Sequence, residues 1–169
     1  MNKWNATFVE NCLYRLDESR RMIYKALESV SEVQIWQRPN AVGNALGNQL
    51  LHLCGNMHQY LITTLGHQKD IRDRDREFDL RSGFSKKELL DRLDGTIDAA
   101  QRVLQNATDA DFLNVYSVQA FELTGVGVAL HAIEHCSYHT GQIAFWVKQL
   151  TEKDLGFYNQ MDLNQKHNL

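Results

Sequence analysis

Residues 131–146 read HAIEHCSYHTGQIAFW, and three histidines, His131, His135 and His139, stand four residues apart. They are metal ligands, packed aromatic rings, or some of each. On an α-helix, residues i and i+4 lie one above the other, about 6 Å apart along the axis. With roughly 100° per residue and His135 as origin, Val128, Ala132, His139, Ile143, Trp146 and Leu150 fall on one side. Cys136, Ala129 and Val147 widen that apolar arc. His139 lies inside it, His135 at its margin, and His131 about 40° beyond. The stretch is one side of a long helix running from about Gly125 to Leu150, with His135 and His139 as the better-placed pair. Leu130, Ile133 and Ala144 are apolar on its far side, which points to cover all round, by a partner subunit for instance.

The rest of the chain carries the same period. Phe8, Cys12, Leu16, Ser19, Ile23, Leu27 and Val30 alternate spacings of three and four, predicting a first helix over 4–30. It should stop before the only proline, Pro39, since a residue preceding proline avoids helical backbone. A second helix is predicted from Asn44 to Leu65, with Leu46, Leu50, Leu53, Met57, Tyr60, Leu61 and Thr64 on one side and Gly66 as its stop. The polar stretch HQKDIRDRDREFDLRSG then reads as a crossover. FSKKEL opens a third helix, with Ser85 as N-cap, Glu88 completing a capping box, and Phe84 and Leu89 as a staple. Leu89, Leu93, Ile97, Ala100 and Leu104 extend it to about Asn106. Residues 108–123 fit extended or irregular chain, and the tail from Thr151 fits turns. Four long helices, a long link between the second and third, and no clear strand pattern predict an all-α, four-helix bundle, as one domain over residues 1–169.

A chain of 169 residues with 43% hydrophobic content can bury one core. A net charge of −3 gives no general attraction to nucleic acid or anionic membranes. No apolar run approaches the roughly 20 residues that span a bilayer, and the charged, amphipathic N-terminus does not read as a signal peptide. Three scattered cysteines, Cys12, Cys54 and Cys136, suit a reducing cytoplasm and buried packing better than a disulfide scaffold.

Two imidazoles at i and i+4 can converge on one ion with bonds of roughly 2.0–2.1 Å, but a firm site needs a third ligand from another helix. His52 and His58 lie in the second helix, His67 at its end and His167 in the tail. On the wheel His52 sits at the edge of the apolar arc with Gln49 and Asn56, and spacing alone hardly favours it. Glu134 points about 100° from His135, so it is not placed like a zincin base. Cys136 is likewise turned away and reads as core. Tyr138 and Gln142 flank the pair as packing or as groups that orient ligands. An acceptor for the histidine N–H groups is expected but not identifiable.

NALGNQLLHLCGNMHQYLITTLGHQKDIRDRDREF, with the downstream HAIEHCSYHTGQI and the upstream WQRPN, resembles the DinB/YfiT-like superfamily, especially a subgroup with an RDRDxEF-type crossover. The resemblance spans nearly the whole chain. It implies a four-helix bundle and a divalent metal, zinc or nickel, held by His52, His135 and His139, with no ligand role for His131. It also implies a homodimer.

Three neutral imidazoles leave an ion its full +2 charge and an open position, which on zinc lowers the pKa of bound water to about 7 and would deprotonate a bound thiol. Two enzymatic readings follow, metal-assisted hydrolysis and transfer of a low-molecular-weight thiol to an electrophilic small molecule. Thiol-dependent relatives within the superfamily favour the second. A structural metal, or a dimeric metal-binding module without catalysis, is the non-enzymatic alternative. No separate nucleophile or base stands out. The alternating charges of RDRDREF fit a solvated face first, and otherwise an arginine lid over an acidic substrate or a subunit contact.

Overall fold

The structure is a computed structural model and describes residues 2–166. His167 lies outside them. Four long helices form the bundle: α1 (Lys3–Leu27), α2 (Leu46–Met57, continued as a π-helix His58–Leu65), α4 (Lys86–Asn106) and α6 (Gly125–Thr151). α1 packs on α4 and α6, and α2 packs on the same two, so the histidine-bearing helices α2 and α6 are neighbours. The stripe residues meet in one core, where Leu16, Ile23, Leu50, Leu53, Leu93, Ile97 and Ile143 are fully buried. Truncating one of these leucines to alanine costs about 2–5 kcal/mol, transfer and cavity combined.

The ends of the elements follow local chemistry. Ser85 accepts from the Glu88 N–H while the Glu88 carboxylate accepts from Ser85, the predicted capping box. Thr124 caps α6 through the Gly127 N–H. α1 ends three residues earlier than its apolar stripe, and the Lys86 ammonium donates to the carbonyls of Leu27 and Val30 left free there. α2 begins at Leu46, where the Asn48 side chain accepts from the Ala45 N–H. Its last stretch is wider than an α-helix, with the Gly66 N–H donating to Leu61. The left-handed position after it belongs to His67 rather than Gly66, at φ 54°.

Two segments depart from the expectation. The crossover is not structureless: α3 (Arg74–Asp79) forms within it, capped by Asp73. Residues 109–124 form a short helix, α5 (Asp109–Leu113), and an antiparallel hairpin of β1 (Val115–Val118) and β2 (Phe121–Thr124). The hairpin is inconspicuous in sequence because its turn, Gln119–Ala120, has no glycine or asparagine, and Gln119 itself takes φ 53°. No helix among the described residues is long and apolar enough to cross a membrane.

Candidate metal centre

His52 projects from the middle of α2, and His135 and His139 project one turn apart from α6 across the α2–α6 seam. One ring nitrogen from each lies within 4.8 Å of the other two. His52 Nε2 and His135 Nε2 are 3.0 Å apart. For comparison, two imidazole nitrogens on one tetrahedral zinc at roughly 2.0–2.1 Å lie about 3.3 Å from each other. His52 and His139 are buried and His135 is half-buried. His131, one turn earlier, is outside the group: its ring stacks on Tyr60 at 3.9 Å, and its Nε2 faces the Asn56 amide. His58 turns to Thr63, and His67 is exposed beside Asp111.

The outer nitrogens of two rings are spoken for. His52 Nδ1 is 2.8 Å from Glu77 Oε2. A carboxylate can only accept, so Nδ1 carries the proton, which in the neutral ring leaves the lone pair on Nε2. His139 Nδ1 donates to Gln49 Oε1, and Gln49 in turn donates from Nε2 to Gln142 Oε1 at 2.8 Å, which orients its oxygen toward the ring. His139 therefore also presents Nε2 with its lone pair free. His135 Nδ1 is buried with no hydrogen-bond partner among the described residues, so that ring is held by packing against His131 and His139 and not by an outer hydrogen bond.

Burial pushes the His135 pKa down to about 3, with the charges of His139 and His52 adding to the effect. Burial likewise lowers His139 to about 4, helped by His52. At neutral pH both rings are unprotonated, as ligation requires. The donor set fits a divalent cation: three nitrogen donors from two packed helices, two with an outer nitrogen engaged, and His135 and His139 held neutral. Three such histidines could hold a metal ion.

Glu77 comes from the RDRDREF crossover, and so does its main partner. Arg72 grips the carboxylate with two parallel bonds, Nε to Oε1 at 2.8 Å and Nη2 to Oε2 at 2.9 Å, while Nη1 reaches Gln59. The side chains of Arg72 and Glu77 are only 2% and 8% exposed. Burial opposes ionisation of Glu77, but hydrogen bonds from Arg72 and His52 outweigh it and hold the pKa below the usual range. The solvated-face reading of the crossover is thus corrected at these two residues. Arg74 and Asp75 between them stay exposed.

The acceptor missing from the sequence reading is this carboxylate, and one signal for it existed. Gly55 sits inside α2, where glycine is costly, and a Cβ there would stand 1.8 Å from Glu77 Oε1. Asn48 and Arg38 tie the same segment down through the carbonyls of Glu77, Phe78 and Leu80. Phe78 packs against the His52 ring at 4.7 Å. Cys54 and Cys136 are buried thiols whose pKa values burial raises to about 12 and 11, consistent with packing. Tyr138 is 63% exposed and meets His139 edge-on, so it is not bundle packing. A cavity of about 720 Å³ between the start of α2 and the α6 face is lined by Gln49, Tyr138, Gln142, Phe145 and Trp146.

The profile of a family described as "Protein of unknown function (DUF1572)" matches residues 3–160. No curated protein matches the chain. Similar solved structures include a conserved protein from Enterococcus faecalis, 13% identical, covering 85% of this chain and 96% of that one at a TM-score of 0.71. A DinB-like protein from Bacillus cereus is 15% identical, covering 88% and 93%, with a TM-score of 0.67. A DinB-like protein, YjoA, from Bacillus subtilis is 14% identical, covering 90% and 97%, with a TM-score of 0.65. These likenesses establish the DinB-like bundle.

Proposed function

The chain belongs to the DUF1572 family within the DinB/YfiT-like superfamily, and from its own site we propose a metal-dependent enzyme that transfers a low-molecular-weight thiol to an electrophilic small molecule. His52, His135 and His139 hold the divalent ion in this reading, zinc or nickel as the resemblance implies, and imidazole donors suit both. The observation that carries the proposal is the pair of fixed tautomers: Glu77 and Gln49 each take an outer N–H and leave Nε2 bare toward the other rings.

A divalent ion on three neutral imidazoles keeps its +2 charge and acidifies a bound water or thiol. The protein's own contribution is orientation. Glu77 makes His52 a stronger donor and stops the ring from turning; Gln49, steadied by Gln142, does the same for His139. The cavity beside Gln49 and Gln142 has the size of a small-molecule site and apolar walls in Phe145 and Trp146. Its lining includes no aspartate, glutamate or histidine. A thiol or a water acidified by the ion needs no such base, so it is the resemblance to thiol-dependent members of the superfamily that favours thiol transfer over hydrolysis. We further propose one domain, a homodimer and a cytoplasmic setting; the exposed Leu130, Tyr138 and Phe145 on α6 favour a second copy there.

The test begins with elemental analysis of the purified protein and cobalt substitution. Addition of thiols should then shift the cobalt absorption, and thiol consumption with an electrophile should depend on the metal. Unfolding on metal removal would instead assign the ion a structural role. Metal-dependent turnover of esters or amides without thiol would assign a hydrolase.

A further inference from the structure

A second cavity, of about 460 Å³, lies between α2, the crossover and α4. It is separate from the α2–α6 seam: Arg72 and Glu77 form part of its wall, and His52 is on their other side. Its size falls within the 300–1,000 Å³ of small-molecule sites. Leu51, Leu80 and Phe84 give it an apolar surface.

The charges on its lining are not balanced. Arg72 and Glu77 satisfy one another. Asp73 is turned to the start of α3, where it accepts from the Arg76 N–H. Arg76 and Arg92 also line the cavity, and neither guanidinium forms an ion pair among the described residues. Arg92 lies over the Phe84 ring at 5.7 Å, a cation beside an apolar wall. Its three arginines, Arg72, Arg76 and Arg92, outnumber its two carboxylates, Asp73 and Glu77, by one positive charge.

We propose that this cavity binds a small organic carboxylate, the carboxylate taken by Arg76 and Arg92 and the apolar body seated against Leu51, Leu80 and Phe84. Guanidinium donors match a carboxylate in geometry. A single excess charge suits a monoanion; a phosphate dianion would bring a second negative charge into a cavity that Glu77 already lines. Cys54 also lines it, as a buried thiol, so the site is one of reversible binding. The proposal stands independently of a metal at the histidines.

The experiment is a titration of the ¹⁵N-labelled full chain with benzoate, benzamide and phenyl phosphate, in zinc-loaded and chelator-treated forms. Benzoate should give saturable amide shifts at Gly55, Ile71 and Thr96 in both forms, and benzamide none. Arg76→Ala with Arg92→Ala should weaken benzoate by about tenfold or more, and Arg76→Lys with Arg92→Lys should recover part of that loss. Both arginines are exposed, so the urea midpoint of the double variants should match the parent. Four results would overturn the proposal: no saturation, shifts confined to Gln49, His139 and Gln142, affinity unchanged in the alanine double variant, or phenyl phosphate binding more tightly than benzoate. Benzoate binding lost on chelation would also overturn it, since the anion would then sit on the metal.

Discussion

Replacing Glu77 by glutamine changes one oxygen to an amide and nearly preserves volume, so its effects are electrostatic. The carboxylate accepts from His52 Nδ1 at 2.8 Å and from Arg72 Nε and Nη2 at 2.8 and 2.9 Å. An amide has one acceptor oxygen. If the oxygen stays on Arg72, the NH₂ meets His52 Nδ1, and the ring must move its proton to Nε2, which then points a hydrogen at the other two histidines. If the oxygen turns to His52, the NH₂ faces the Arg72 guanidinium. Loss of such an outer partner costs about 10–100-fold in metal affinity, or about 1.4–2.7 kcal/mol.

Glu77→Ala adds a stability cost, because Arg72 is then buried without its partner, about 3–5 kcal/mol. The double variant Arg72→Met, Glu77→Leu separates the two effects. Replacing both members of a buried pair by apolar residues is often neutral or stabilising, so the fold should recover while zinc affinity stays low. The assays are competitive zinc titration against a chromogenic chelator and urea unfolding of the chelated protein. Zinc affinity within threefold of the parent for both Glu77→Gln and the double variant would refute the reasoning.

The individual alanine variants of His52, His135 and His139 should each lose stoichiometric metal by elemental analysis, whereas His131→Ala should bind nearly as the parent does; equal loss in all four would sink the ligand assignment. For the chelated protein, the folded pKa values of His135 and His139, about 3 and about 4, lie below the ordinary 6.5. The unfolded chain therefore takes up protons first, and stability falls as pH drops from about 6.5 toward 4. Glu77, whose folded pKa is also depressed, adds a further loss below its ordinary 4.5. A urea midpoint flat between pH 7 and 4.5, or a slope unchanged in His135→Ala, contradicts this. Gly55→Ala would set a methyl group against the Glu77 carboxylate and should destabilise by about 1–3 kcal/mol with weaker zinc binding; an unperturbed protein would show that the crossover packs less closely than described.

The bundle was legible because α1 and α4 show a one-sided apolar stripe, and its residues are the buried ones in α4, where Leu89, Leu93, Ile97, Ala100 and Leu104 face the core, while α6 is apolar on its far side as well. α2 is different. Leu51, Cys54 and Ile62 are buried as well as Leu50, Leu53 and Leu61, so burial in α2 runs past the apolar arc whose edge His52 marks on the wheel. Only resemblance singled it out there. Glu77 and Arg72 were hidden for another reason: RDRDREF alternates charge like an exposed turn, and the partner that buries Glu77 lies 25 residues earlier. The hairpin escaped because its turn residues lack the usual chemistry.

Glu77 also explains why the link from α2 to α4 is long. His52 faces α6 with one nitrogen, so an acceptor for the other must approach from outside the α2–α6 seam, over the α2 backbone at Gly55. A short turn between neighbouring helices could not bring chain back to mid-helix; a crossover that returns along α2 can. Such a carboxylate, buried alone, would be raised in pKa toward its neutral form and would lose much of its pull on the imidazole. Arg72, five residues before Glu77, keeps it ionised, and Asn48 and Arg38 fix the segment to the start of α2. The alternating charges of the crossover therefore divide by burial: one arginine and one glutamate turn inward to set a histidine's tautomer, while Arg76 stays outward at the second cavity.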